Sequence, residues 1–139
     1  MSRVQWSPGG SGGGGSVWVS PGSSGGAGST FYSVGAGANS ASDDYRVWIA
    51  PCDCTLDRLY ARSDDNIAAG ESWTVTVREV GVGDTALTCT IDGGTNTAND
   101  LVNTVNASAG DQYVFKMVCS NNGGWVNEYV SACFRWVPT

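Results

Sequence analysis

Residues 71–91, ESWTVTVREVGVGDTALTCTI, constrain the fold more than any other stretch. Trp73, Val75 and Val77 alternate with Thr74, Thr76 and Arg78. Further on, Leu87, Cys89 and Ile91 alternate with Ala86, Thr88 and Thr90. Extended backbone sends successive side chains to opposite faces, so each run has one apolar and one polar face. Gly81, Gly83 and Asp84 between them supply residues that close a tight turn. The pattern predicts a β-hairpin, and its apolar face requires a second layer to cover it.

The rest of the chain carries the same signal from residue 30 onward. Strands are expected near residues 30–34, 45–50, 55–62, 72–80, 86–91, 101–106, 112–119 and 127–137, with Gly-, Asn-, Asp- and Ser-rich turns between them. No window holds apolar residues at helical spacing for three turns. Eight such strands predict an all-β fold, an antiparallel jelly-roll sandwich spanning residues 30–139, which also manages exposed sheet edges. An immunoglobulin-like sandwich is the alternative. It fits less well because no tryptophan sits suitably between two core cysteines.

Residues 1–29 differ in kind. They hold ten of the 20 glycines and a single charged side chain, Arg3. Such a segment buries too little apolar surface to offset its ordering entropy. Two similar pieces nevertheless occur in it, QWSPGG at 5–10 and VWVSPG at 17–22. Each sets a tryptophan before a Ser-Pro-Gly turn. The expectation is a Gly-rich N-terminal arm that docks on another protein, with Arg3, Val4, Trp6, Val17, Trp18 and Val19 as its contacts.

Composition excludes several functions. The chain has no histidine, so Ser-His and Cys-His nucleophile activation are ruled out. The carboxylate pairs Asp43–Asp44, Asp64–Asp65 and Asp53–Asp57 are neighbours in sequence, not residues held across a cleft. Asp64, Asp65 and Asn66 lack calcium-loop spacing, and Cys52-x-Cys54 lacks zinc-knuckle spacing. No catalytic residue, metal or cofactor is therefore expected. The net charge of -6, with seven scattered basic residues, argues against nucleic acid and anionic membrane as partners. Neither a signal-peptide stretch nor an apolar run of roughly 20 residues occurs, which points to a chain made and kept soluble in a cytoplasm, or released by lysis. The five cysteines read as free, partly buried thiols, with one or two disulfides as the alternative.

Two segments suggest contacts with partners. In residues 112–119, Tyr113, Phe115 and Met117 oppose Val114, Lys116 and Val118, so both faces are partly apolar. Such a strand is central in a sandwich or lies at a subunit interface, and Tyr113, Phe115 and Met117 are candidates for the latter. In the loop SNNGGWVNEY, Asn121, Asn122, Trp125 and Tyr129 combine aromatic faces with amides, which suits a glycan site; a turn followed by a buried tryptophan is the plainer reading.

The segments PCDCTLDRLYARSDD, ESWTVTVREVGVGDTALTCTIDGG and NTVNASAGDQYVFKMVCS together resemble a module of phage and prophage structural proteins. That module is similar to the TNF/C1q-type jelly roll. The resemblance covers roughly residues 45–137 and departs from the pattern at Cys52/Cys54 and in the loop 120–125. It implies a non-enzymatic homotrimer on the virion surface, assembled in the host cytoplasm. It further implies a capsid decoration or cement protein with the major capsid protein as partner. A fibre or tail module that binds host glycan, or a secreted bacterial adhesion domain, are the other readings.

Overall fold

The computed structural model describes residues 13–21, 25–26, 30–33, 35–37, 46–120, 125–126 and 129–139. Of these, 18–21, 25–26, 30–33, 35–37 and 125–126 contribute backbone only. The described elements are all strands: β1 (Gly15–Pro21), β2 (Gly25–Gly26), β3 (Thr30–Ser33), β4 (Gly35–Gly37), β5 (Trp48–Ile49), β6 (Cys54–Ser63), β7 (Ser72–Glu79), β8 (Gly83–Asp92), β9 (Thr97–Asp100), β10 (Val105–Ala107), β11 (Gln112–Ser120), β12 (Trp125–Val126) and β13 (Val130–Pro138).

They form two facing sheets. One runs β10-β6-β13-β1-β4, with β9 also paired to β6. The other runs β3-β11-β7-β8, with β5 also paired to β11. All pairings are antiparallel except that of β4 with β1. A short third ladder joins β12 to β2. The expected all-β, two-sheet character is thus present.

The β7–β8 hairpin forms as its alternation requires. Trp73, Val75, Val77, Leu87, Cys89 and Ile91 all face inward and are buried. On the outer face, Thr74 and Thr76 meet Thr90 and Thr88 across the ladder, with hydroxyl oxygens 3.0 and 2.8 Å apart. Register slips between Thr76 and Arg78. There the Thr85 hydroxyl donates to the Val77 carbonyl at 2.6 Å and accepts from the Leu87 N–H, so the irregularity leaves these backbone groups satisfied.

Strand β6 departs from simple alternation for a visible reason. Cys54 and Leu56 are buried at even positions, whereas Leu59, Ala61 and Ser63 are buried at odd ones. Between them Arg58 adopts φ 54°, and the register with β13 shifts between Cys133 and Arg135. One extra residue on β6 resets the alternation so that Leu56 and Leu59 both reach the core.

The core lies between the sheets. Phe115 and Phe134 face each other with ring centroids 5.3 Å apart. Trp48 bridges Tyr113, Phe134 and Trp136 at centroid distances of 6.1, 5.5 and 6.1 Å. The expected interface strand, β11, is therefore central. Tyr113, Phe115 and Met117 are 0%, 0% and 3% exposed within one chain, so they are spent on its own core and leave nothing for a trimer contact. All five cysteines are free thiols.

Two sequence expectations change. The strand foreseen at 101–106 is replaced by β9 and β10, with an exposed turn between them. The segment Gly15–Pro21, expected within a free arm, is a strand of the first sheet. Gly15, Val17 and Val19 pair with Trp136, Phe134 and Ala132. Val17 is buried in the core, opposite Phe134 on β13. The glycines before it have a packing role: a Cβ on Gly15 would stand 2.8 Å from Trp136 Nε1, and one on Gly14 would stand 2.5 Å from the Trp136 carbonyl oxygen.

Candidate functional site

The residues expected to make contacts separate into three groups. Arg3, Val4, Trp6, Asn121 and Asn122 lie outside the described residues. Val17 belongs to the core, and Trp18 and Val19 occupy β1 positions opposite Cys133 and Ala132. In the glycan loop, Trp125 pairs through its backbone with Gly26. Tyr129 is 50% exposed, and its N–H donates to Asp64 Oδ1 at 2.8 Å. The structure does not bring the described members of these sets together into one site.

What it does assemble is a surface that the sequence reading missed. It starts at Asp100, the last residue of β9, which is 7% exposed. Its Oδ1 accepts from the N–H groups of Val102 and Asn103, both at 3.1 Å. Its Oδ2 accepts from Asn103 Nδ2 at 2.9 Å and from the Thr88 N–H on β8 at 3.1 Å. Burial pushes this carboxyl upward, but the Asn103 side chain and the Asn103, Thr88 and Val102 N–H groups outweigh it, so its pKa lies below the ordinary value. The chain is thereby turned out of the sheet directly after β9. The two side chains at the bend, Leu101 and Val102, are 55% and 87% exposed.

Next to this knuckle lies the outer face of β6. Tyr60 is 45% exposed, and Arg58 and Arg62 on either side of it are exposed as well. Tyr60 is flanked across the sheet by Asn99 and Cys133, and Arg62 by Thr97 and Ser131, so small or short neighbours leave these long side chains standing clear. Leu59, between Arg58 and Tyr60, pairs across the ladder with Asp100, so the knuckle leaves the sheet beside the strand that carries the strip.

Three other described cations are paired with carboxylates. Arg78 and Lys116 both contact Asp84, at 2.8 and 2.6 Å, and the Lys116 hydrogen bond, aided by Arg78, holds the Asp84 carboxyl below its usual range. Arg135 grips Asp57 through two nitrogens, at 2.8 and 2.5 Å, with the same effect on Asp57.

The thiols offer little nucleophilic chemistry. Burial, reinforced by nearby negative charge, pushes Cys54 up to about 11 and Cys89 up to about 12, and burial also raises Cys133. These groups are protonated near neutrality and therefore poor nucleophiles. The buried Tyr113 hydroxyl has no hydrogen-bond partner among the described residues, and burial, together with Glu79, Asp111 and Cys54, raises its pKa. Among the described residues no three His, Cys, Asp or Glu side chains converge as metal ligands, and no helix is long and apolar enough to cross a membrane.

The period-two spacing of Arg58, Tyr60 and Arg62 is visible in DRLYARS, and an aspartate followed by Leu-Val-Asn is a recognisable side-chain turn. Comparison with protein-family models, with curated proteins and with solved structures gives no match.

Proposed function

We propose that this chain is a non-enzymatic structural protein of a phage virion, a jelly-roll decoration or cement protein that binds the outer surface of a capsid. The observation that carries the reading is the strand order. The order β1-β13-β6 with β9 and β10 beyond, facing β3-β11-β7-β8, is compatible with two interleaved Greek keys and supports the jelly-roll reading. The segments with the phage-module resemblance fall on β6, on the β7–β8 hairpin, and on β10 and β11. Their roles are those of strands and turns, which suits a mechanical part.

Binding to the major capsid protein would be shared by several copies, so that weak single contacts become collectively tight. A homotrimer supplies this valency, and its contacts must use side chains other than Tyr113, Phe115 and Met117, which the core consumes. The tether is shortened relative to the sequence expectation. With β1 in the sheet, the anchor candidates are Arg3, Val4 and Trp6 within residues 1–12.

The test is co-sedimentation with purified shells. The full chain should pellet with shells and the Trp6→Ala variant should remain largely in the supernatant, with unchanged urea unfolding. Equal pelleting of both removes the tether, and failure of both to pellet removes the decoration reading. Truncation should stop at residue 12, since a deletion through residue 29 also removes β1.

The exposed ring of Tyr129 favours a second reading, a fibre or tail module that binds host glycan through Trp125 and Tyr129. A glycan array on which Trp125→Ala and Tyr129→Ala lose binding supports it, and a blank array sinks it. The secreted adhesion reading loses its disulfide support, because the five cysteines are free.

A further inference from the structure

We propose that Arg58, Tyr60 and Arg62, with the Leu101–Val102 knuckle, form a docking surface for an acidic segment of another protein. The chain carries -6 overall, and four of the six described cations are engaged. Arg78 and Lys116 share Asp84, Arg135 holds Asp57, and Arg46 also has a partner. Arg58 and Arg62 make no ion pair among the described residues, although the Arg58 charge acts on the neighbouring Asp57, which Arg135 already holds; the two arginines bracket one exposed tyrosine on one strand. Exposed arginine and tyrosine are the side chains most often found at the energetic centres of protein interfaces.

The knuckle supplies the apolar half. Leaving Leu101 and Val102 in water forgoes burial energy, yet the fold spends a nearly buried carboxylate and four accepted hydrogen bonds on holding that bend. A bend ordered in advance loses little entropy when a partner covers it, so its apolar contacts count almost fully toward binding.

The geometry also selects the partner. Residues along a strand advance about 3.3 Å each, so Arg58 and Arg62, four residues apart, stand up to about 13 Å from one another. An extended polypeptide can set two carboxylates at that separation and offer an apolar side chain between them to Tyr60. Arginine forks then hold the carboxylates bidentately. Two cations match two carboxylates of one short segment, whereas a polyphosphate backbone or an anionic membrane presents many more charges than the strip can pair. The inference goes beyond the shell reading and does not depend on the Trp6 tether.

The experiment is an amide-resolved NMR titration of the full chain with a blocked twelve-residue peptide of repeating Glu-Gly-Leu-Gly, which in extended form sets Glu, Leu and Glu in turn on one face. A second titration uses the same peptide with Gln for Glu. Shifts are expected at residues 58–62 and 101–103, and they should shrink as salt is raised. The Gln peptide should bind about tenfold more weakly, as should the glutamate peptide to an Arg58→Gln/Arg62→Gln variant. A Leu101→Ser/Val102→Ser variant should also weaken binding while its spectrum stays folded.

No shifts at the strip, or equal shifts with both peptides, overturn the proposal. So does a heparin fragment that shifts the strip when the glutamate peptide does not, because the ligand would then be a glycan. Concentration-dependent broadening without peptide, abolished in the Arg58→Gln/Arg62→Gln variant, would mean that a second copy occupies the surface and would also overturn it. Loss of shell binding by Trp6→Ala leaves these outcomes unchanged, so the two readings fail separately.

Discussion

Replacing Asp100 by alanine removes an acceptor that four donors share. Three of them, the Val102 and Asn103 N–H groups and the Asn103 amide, belong to the exposed bend, where water can replace the carboxylate. Their net loss is about 0.5 kcal/mol each. The fourth, the Thr88 N–H on β8, is partly covered, and leaving it unpaired costs about 1–2 kcal/mol. The sum is about 3 kcal/mol, large for a residue outside the apolar core. Urea unfolding followed by tryptophan fluorescence reads it directly. Asn103→Ala, which removes a single side-chain bond, should cost about 0.5–1 kcal/mol in the same assay. Amide hydrogen exchange should also quicken at Thr88, Val102 and Asn103 before it does elsewhere. If Asp100→Ala lies within about 0.5 kcal/mol of the parent, as ordinary surface changes do, the carboxylate does not organise this edge and the reasoning fails.

Further expectations concern acid, core and thiols. The Asp100, Asp57 and Asp84 carboxyls lie below their ordinary value in the folded chain. Their contribution is therefore complete above the unfolded value of about 4 and is lost as pH falls through the lower folded values. The urea midpoint should drop below pH 4, and Asp100→Asn should flatten that drop; an unchanged slope excludes Asp100 as its source. Tyr113→Phe deletes a buried hydroxyl with no partner among the described residues and should stabilise by about 1 kcal/mol; destabilisation on that scale would reveal a bond to that oxygen. Gly14→Val should destabilise by more than about 2 kcal/mol, because its side chain meets the Trp136 carbonyl, and a neutral result would show that β1 is not held against β13. With Ellman's reagent the native chain should react slowly at Cys54 and Cys89, whereas the unreduced, denatured chain should release five thiols; a count of three or fewer contradicts the free cysteines.

Much of the fold is legible in the residues themselves. Alternation along 72–79 and 83–92 dictates a hairpin whatever surrounds it, because side chains of extended backbone leave in opposite directions. The lack of histidine and the scattered charge limit the chemistry in the same context-free way. Long-range pairing is not written locally. Gly15–Pro21 reads as part of a flexible arm because the glycine- and serine-rich stretches on both sides of it have weak strand preference, and only the edge of β13, with Trp136 beside Gly15, turns it into a strand. Leu101 and Val102 read as strand because they are apolar, and only a carboxylate that reaches back to β8 turns them outward. The two apolar faces of β11 allow either a core strand or a subunit contact in the sequence. Tertiary structure decides for the core, since β13 and Trp48 arrive from distant parts of the chain to cover Tyr113 and Phe115. The strip of Arg58, Tyr60 and Arg62 joins both levels: its spacing is in the sequence, but the bulge at Arg58 and the emptiness around Tyr60 exist only once the sheet is built. Local backbone geometry sets which residues share a face; which faces stay open depends on which strands meet, and those contacts span the whole chain.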